Sequence, residues 1–151
     1  MKLFDEFASI ILQFNEHGIS YAVIGGIAMA FHDEPRFTKD IDFLILQEEI
    51  EKIKLILEKL GYFQSAEPWT FSNTQLTLCR FMKVEGEEHL IVDILFGKEP
   101  EYRNIVKQAI DQDSSYGSIR IAARNDIIWL KQMRGSDQDR VDIRKLQHDP
   151  N

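Results

Sequence analysis

The heptapeptide Asp40-Ile41-Asp42-Phe43-Leu44-Ile45-Leu46 constrains this chain more than any other segment, because two carboxylates head a run in which every other residue is apolar. A helix would turn residues 40 and 42 about 200° apart, whereas a strand returns them to one side with Cα atoms about 6.5 Å apart. Only the strand lets both carboxylates converge on one ion. Ile41, Phe43 and Ile45 then lie on the opposite side and anchor the segment in a core. A second acid interrupts His89-Leu90-Ile91-Val92-Asp93-Ile94-Leu95-Phe96, a strand whose two faces are otherwise apolar after the histidine. Runs of this kind are normally central in a sheet. Burying an aspartate there costs several kcal/mol unless a cation or hydrogen bonds compensate. If the two strands are neighbours, Asp40, Asp42 and Asp93 share one sheet edge, and their repulsion calls for a divalent cation, Mg²⁺ or Mn²⁺. Two plainer arrangements compete with this one: a solvated strand terminus for the Asp-x-Asp pair, and an arginine partner for Asp93.

The rest of the chain reads as helices around those strands. Leu3 to His17 carries Leu3, Phe4, Phe7, Ile10, Ile11 and Phe14 at helical spacing and stops at Gly18. Tyr21 to Ile24 predicts a strand, Gly25-Gly26 a turn, and Ile27 to Phe31 a helix. A polar connection with Pro35 leads to the acidic strand, and Glu48 to Leu60 is an amphipathic helix closed by Gly61. Leu76 to Val84 and His89 to Phe96 form a hairpin across Glu85-Gly86-Glu87-Glu88. Tyr102 to Ile110 predicts a helix, Ser118 to Ala122 a strand, and Asp126 to Arg134 a helix N-capped by Asn125. A last helix covers about Asp137 to Leu146. The order α-β-α-β-α-β-β-α-β-α-α predicts a mixed sheet flanked by helices, an α/β (α+β) fold in a single domain over residues 1–151.

Composition removes several function classes. No apolar stretch approaches the roughly 20 residues needed to cross a bilayer. Asp5 and Glu6 sit where a secretion signal would be basic, and the lone Cys79 makes no internal disulfide. A reduced, cytoplasmic protein is expected, with Cys79 a small buried apolar group. The histidines are too scattered for a zinc motif, and His89 is expected at a strand edge. A net charge of −7 disfavours an extensive sequence-independent grip on nucleic acid. From Arg120 to Lys145, however, seven basic residues face four acids, leaving +3 there and −10 elsewhere. That segment is where a polyanion would be expected to settle.

Gly25-Gly26 lies between strand and helix, where small residues let backbone N–H groups approach an anion. Neither a P-loop nor a dinucleotide fingerprint is present. The diglycine, thirteen residues, Asp40-Ile41-Asp42 and a later Asp93 together resemble the polymerase-β-like nucleotidyltransferase superfamily. Ile24-Gly25-Gly26-Ile27-Ala28 followed by Arg36-Phe37-Thr38-Lys39-Asp40-Ile41-Asp42 is similar to its small bacterial AbiEii-type toxin branch. Leu130-Lys131, Arg134, Asp139, Asp142-Ile143 and Leu146 resemble that branch's closing motif, with Gln138 where it often carries lysine. The resemblance spans residues 20–146.

It implies the nucleotidyltransferase fold and transfer of a nucleoside monophosphate from an NTP to a hydroxyl, with pyrophosphate released. It also implies roles for individual residues. Gly25 and Gly26 would contact the triphosphate, Asp40 and Asp42 would hold Mg²⁺ (or Mn²⁺) on it, and Asp93 would complete the metal site and favour deprotonation of the attacking hydroxyl. Arg36 and Thr38 either touch substrate or order the loop before Asp40. Lys131 and Arg134, at i and i+3 on one helical face, either neutralise the β- and γ-phosphates or form an exposed basic pair. The acceptors implied are a tRNA 3′ end, a partner protein's hydroxyl, or a small molecule such as an antibiotic. An antitoxin-like partner subunit or a homodimer would supply further acceptor contacts. Two readings from other classes stand beside this one: a nucleotide-binding module without turnover, and an interaction domain whose acids are merely salt-bridged.

Overall fold

The computed structural model describes residues 1–32, 39–72 and 74–147. Helix α1 (Leu3–Glu16) buries Phe7, Ile10, Ile11 and Phe14. Strand β1 (Tyr21–Ile24) runs directly into α2 (Gly25–Phe31), so the diglycine is the first turn of the helix and not a separate turn before it. Strand β2 (Asp40–Ile45) alternates half-buried and buried at its acidic head and is then buried throughout, as a strand with both faces covered should be. A 3₁₀ turn (Gln47–Glu49) opens α3 (Ile50–Lys59). Two short strands follow, β3 (Phe63–Gln64) and β4 (Trp69–Thr70), both exposed and neither legible as a periodic run.

Strands β5 (Leu76–Glu85) and β6 (Glu88–Gly97) form a hairpin whose ladder extends to Glu85 opposite Glu88. The expected four-residue connection is therefore a two-residue turn, with Gly86 at φ 61°, a conformation glycine adopts without steric cost. Helix α4 (Pro100–Lys107) ends earlier than expected, because Ile110 begins an exposed strand, β7 (Ile110–Ser114), paired with β8 (Gly117–Ile121). Helix α5 (Arg124–Arg134) starts after Ala123, not after Asn125, and has no side-chain cap. Helix α6 (Asp137–Gln147) instead has a reciprocal cap at its start: Asp139 N–H donates to Ser136 Oγ at 3.0 Å, and Ser136 N–H donates to Asp139 Oδ2 at 3.2 Å.

Among the described residues the eight strands make one sheet in the order β3-β5-β6-β2-β1-β8-β7, with β4 also paired to β5. The β2–β6 and β1–β8 pairs are parallel, while β1–β2, β5–β6 and β7–β8 are antiparallel, so the sheet is mixed as expected. On one face Phe43 gathers Phe7, Phe14 and Tyr21, with ring centroids 5.0 to 6.1 Å away, which seats α1 on the sheet. The other face carries Asp40, Asp42 and Asp93. No described helix is long and apolar enough to cross a membrane.

Arg103 of α4 grips Glu48 in the 3₁₀ turn through two hydrogen bonds of 2.8 and 2.7 Å. This fork holds the Glu48 carboxyl down to about 2, from an ordinary 4.5. A depressed carboxylate adds stability above pH 4.5 and loses it as pH falls through about 2. The pair is solvent-exposed, so the effect is small. The melting-temperature gap between the parent and Arg103→Ala is expected to be constant at neutral pH and to close between pH 4.5 and 2 in acid melts.

Candidate active site

Strand register brings the acids together. Asp42 on β2 is the Cα partner of Asp93 on β6, and Asp40 lies one rung pair away opposite Ile91. The row continues in both directions: Arg80 on β5 pairs with Asp93, and Ile24 on β1 pairs with Asp42 and leads into Gly25. One line of side chains thus crosses four strands. The neighbouring strands that the sequence required for a shared acidic edge are present.

Gly25 gives this row its shape. It adopts φ 72°, and a Cβ built there would overlap the Asp42 carboxylate, with Oδ2, Cγ and Cβ all within 3.1 Å. The Asp42 side chain occupies the space a larger residue would fill, which is a direct reason for glycine at this position. Gly26, next along, is buried in the first turn of α2. Gly25→Ala is expected to leave the circular dichroism spectrum unchanged and to push the Asp42 carboxylate aside. A displacement of about 1 Å at a reacting centre costs about 10²-fold in rate, and a nucleotide-transfer assay of that variant checks it.

Asp93 is only 4% exposed and already has a partner. Arg80 Nε donates to its Oδ1 at 2.9 Å, and Arg80 Nη2 donates to Oδ2 at 3.0 Å, a two-pronged arginine–carboxylate pair. The guanidinium also lies over the Trp69 ring, 5.4 Å from its centroid. Asp93 holds Arg80 more firmly charged than usual, with added fields from Asp40 and Asp42. The arginine partner foreseen as a plainer alternative for Asp93 therefore exists, and it faces the acidic row directly.

Donor chemistry decides what a cation would find here. Mg²⁺ is commonly held by one or two carboxylates plus substrate phosphates, and Asp40 and Asp42, on one side of a rigid strand head with Gly25 cradling one of them, fit that demand. Asp93 does not join them while its carboxylate is turned to Arg80. Among the described residues no three His, Cys, Asp or Glu side chains assemble into a metal cage.

A small cleft of about 20 Å³ opens beside Asp42, lined by Gly25, Ile24, Leu76, Leu95, Ile127, Leu130 and Lys131. Lys131 is at this cleft yet is not the exposed cation of a surface basic pair. It is 2% exposed, donates to Asp142 Oδ2 at 2.9 Å and lies 3.7 Å from Asp139 Oδ1. Gln138, at the position where the resembling branch often has lysine, donates to the other Asp142 oxygen at 2.8 Å. Arg134 ends α5, and its side chain falls outside the described residues, as do Arg36 and Thr38.

Arg120, Arg124 and Lys131, among the seven basic residues of the C-terminal segment, have partners within the protein. Arg120 binds Asp111 and the carbonyls of Val106 and Lys107, and Arg124 binds the carbonyls of His32 and Leu146. Lys131 is buried as well, whereas Arg140, Arg144 and Lys145 are exposed. His89 is exposed at the start of β6, and Cys79 is buried, with desolvation pushing its thiol up, both as expected.

Residues 9–144 match the family model described as nucleotidyl transferase AbiEii toxin, type IV TA system. No curated protein sequence matches the chain. A Thermotoga maritima protein described as a candidate nucleotidyltransferase superposes with TM-score 0.66 at 14% identity, covering 94% of this chain and 90% of its own. The solution structure of the antibiotic-resistance factor ANT(2″)-Ia gives TM-score 0.61 at 16% identity over 97% of this chain and 84% of the other. Its crystal structure with adenylyl-2″-tobramycin gives 0.55 at 16%, over 93% and 84%. At these identities the likeness is one of fold.

Proposed function

Because the chain belongs to the AbiEii nucleotidyl transferase toxin family of type IV toxin–antitoxin systems, we propose that it transfers a nucleoside monophosphate from an NTP to a hydroxyl group, with Mg²⁺ or Mn²⁺ as cofactor. The observation that carries this reading is Gly25 leaving room for the Asp42 carboxylate in the row shared with Asp93. A merely solvated strand terminus has no need of such a seat.

Asp40 and Asp42 would hold the cation, which when bound would supply neutralisation of triphosphate charge. The chain's own residues do the rest. Ile41 and Phe43 lock the strand head in the core, so the two carboxylates meet the substrate already oriented. Gly25 and Gly26 bring backbone close to the triphosphate, and Arg36, Thr38 and Arg134 add contacts to it. Lys131, at the cleft floor, positions α6 through Asp142 and Asp139 as well as lending its field to the phosphates. Asp93 favours loss of the acceptor's proton. The acceptor oxygen forms a bond to the α-phosphorus, the α–β phosphoanhydride breaks, and pyrophosphate leaves with the electron pair.

The acceptor is a tRNA 3′ end or a partner protein's hydroxyl, and an antitoxin subunit restrains the enzyme in the cytoplasm. The family's toxin assignment supports these choices. A small-molecule acceptor is the second reading, favoured by the fold shared with ANT(2″)-Ia. Incubating the protein with each labelled NTP, Mg²⁺ or Mn²⁺, and cellular RNA, protein and metabolite fractions decides among them. Label in RNA or protein supports the first reading, label in metabolites the second, and nucleotide binding without pyrophosphate release makes the chain a binding module.

A further inference from the structure

Arg80 has no part in the chemistry above, yet it holds Asp93 on the same row. Asp93 is buried, lies between Asp42 and Arg80 in register, and gives both its oxygens to one guanidinium. The guanidinium is only partly buried, with its side chain 34% exposed, and rests on the Trp69 ring at the sheet margin. A buried aspartate needs a positive partner, but that partner can be exchanged for another cation if the first has somewhere to go. The indole face already holds this guanidinium, so Arg80 keeps a favourable contact at a partly exposed site when it lets the carboxylate go.

We propose that Arg80 is a resident stand-in for the divalent cation: it occupies Asp93 in the metal-free protein, competes with the metal for that carboxylate, and yields it by releasing the fork while it stays on the Trp69 ring. The proposal rests on the reading that Asp40 and Asp42 hold the cation. It assigns Arg80 to positioning and metal affinity, not to contact with the reacting atoms. A two-pronged pair makes Arg80 selective for Asp93 over Asp40 and Asp42, so the first cation binds to the β2 pair and only then competes for the third carboxylate.

Binding of Mn²⁺ followed by electron paramagnetic resonance, and of Mg²⁺ followed by the emission of Trp69 in a Trp129→Phe background, tests this without any turnover. Arg80→Gln is expected to bind Mn²⁺ about tenfold more tightly than the parent, the equivalent of one charge-assisted hydrogen bond. Arg80→Lys keeps the charge but loses the fork, so its affinity is expected to fall between the two. Mg²⁺ is expected to shift Trp69 emission in the parent and to leave it unchanged in Arg80→Gln. Should Arg80→Lys match the parent while Arg80→Gln binds tighter, Arg80 acts only through its field and the competition is disproved. Equal or weaker binding by Arg80→Gln also disproves it. Asp42→Asn separates this from the underlying reading: if that variant binds Mn²⁺ as the parent does, the cation site itself is wrong, whereas lost binding there beside an indifferent Arg80→Gln sinks only the stand-in.

Discussion

Asp42→Ala is expected to stay folded and to lose nucleotide transfer by about 10³-fold or more, the scale of removing a central electrostatic group from a phosphoryl-transfer site. Asp42 is half-buried at a strand head, so no cavity of consequence follows its truncation. Its removal also relieves repulsion within a row that holds Asp40 and Asp93. The melting temperature is therefore expected to hold or rise while transfer of label collapses. Asp42→Asn keeps the shape and the crowding but not the charge, and the same loss is expected there. If either variant transfers nucleotide at the parent's rate, Asp42 is not part of the chemistry.

Lys131→Met is expected to cost about 3–5 kcal/mol of stability, measured by urea unfolding, the penalty for leaving a buried charge without its partner. Asp142 is fully buried and Asp139 nearly so, and both lie within 4.0 Å of the Lys131 ammonium. Methionine replaces the chain length but not the charge. The double variant Lys131→Met with Asp142→Leu is expected to recover part of the loss, since it removes one of the two buried carboxylates that the single variant leaves without the ammonium. An unchanged unfolding midpoint for the single variant would mean that Lys131 is dispensable to the fold and is held there for phosphate.

The acidic strand and its setting were legible because Asp40 and Asp42 contradict an otherwise apolar pattern, and only a strand reconciles the two. The same logic applied to Asp93 made β6 a central strand but left its place beside β2 open, which the parallel pairing settles. The partner of Asp93 was legible too: a hairpin that pairs Val84 with His89 must pair Arg80 with Asp93. What concealed it is that Arg80 reads as the polar member of an alternating strand until the ladder is counted. Lys131 misled for a different reason. Helical spacing tells which residues share a face, but α6 covers that face, and the packing of two helices that are both polar in sequence leaves no periodic signal. The short strands β3, β4 and β7 escaped because two to five exposed residues carry no alternation to detect, and β7 is written in Asp, Gln and Ser.

Parallel pairing of β2 with β6 has a consequence for the timing of assembly. Residues 42 and 93 meet only after the whole of α3, β3, β4 and the β5–β6 hairpin has been made, so the reactive constellation depends on a contact that closes late and across a long loop. On the ribosome the Asp42–Asp93 rung therefore cannot form until residue 93 has been made. The acidic row is complete only once that one ladder has closed.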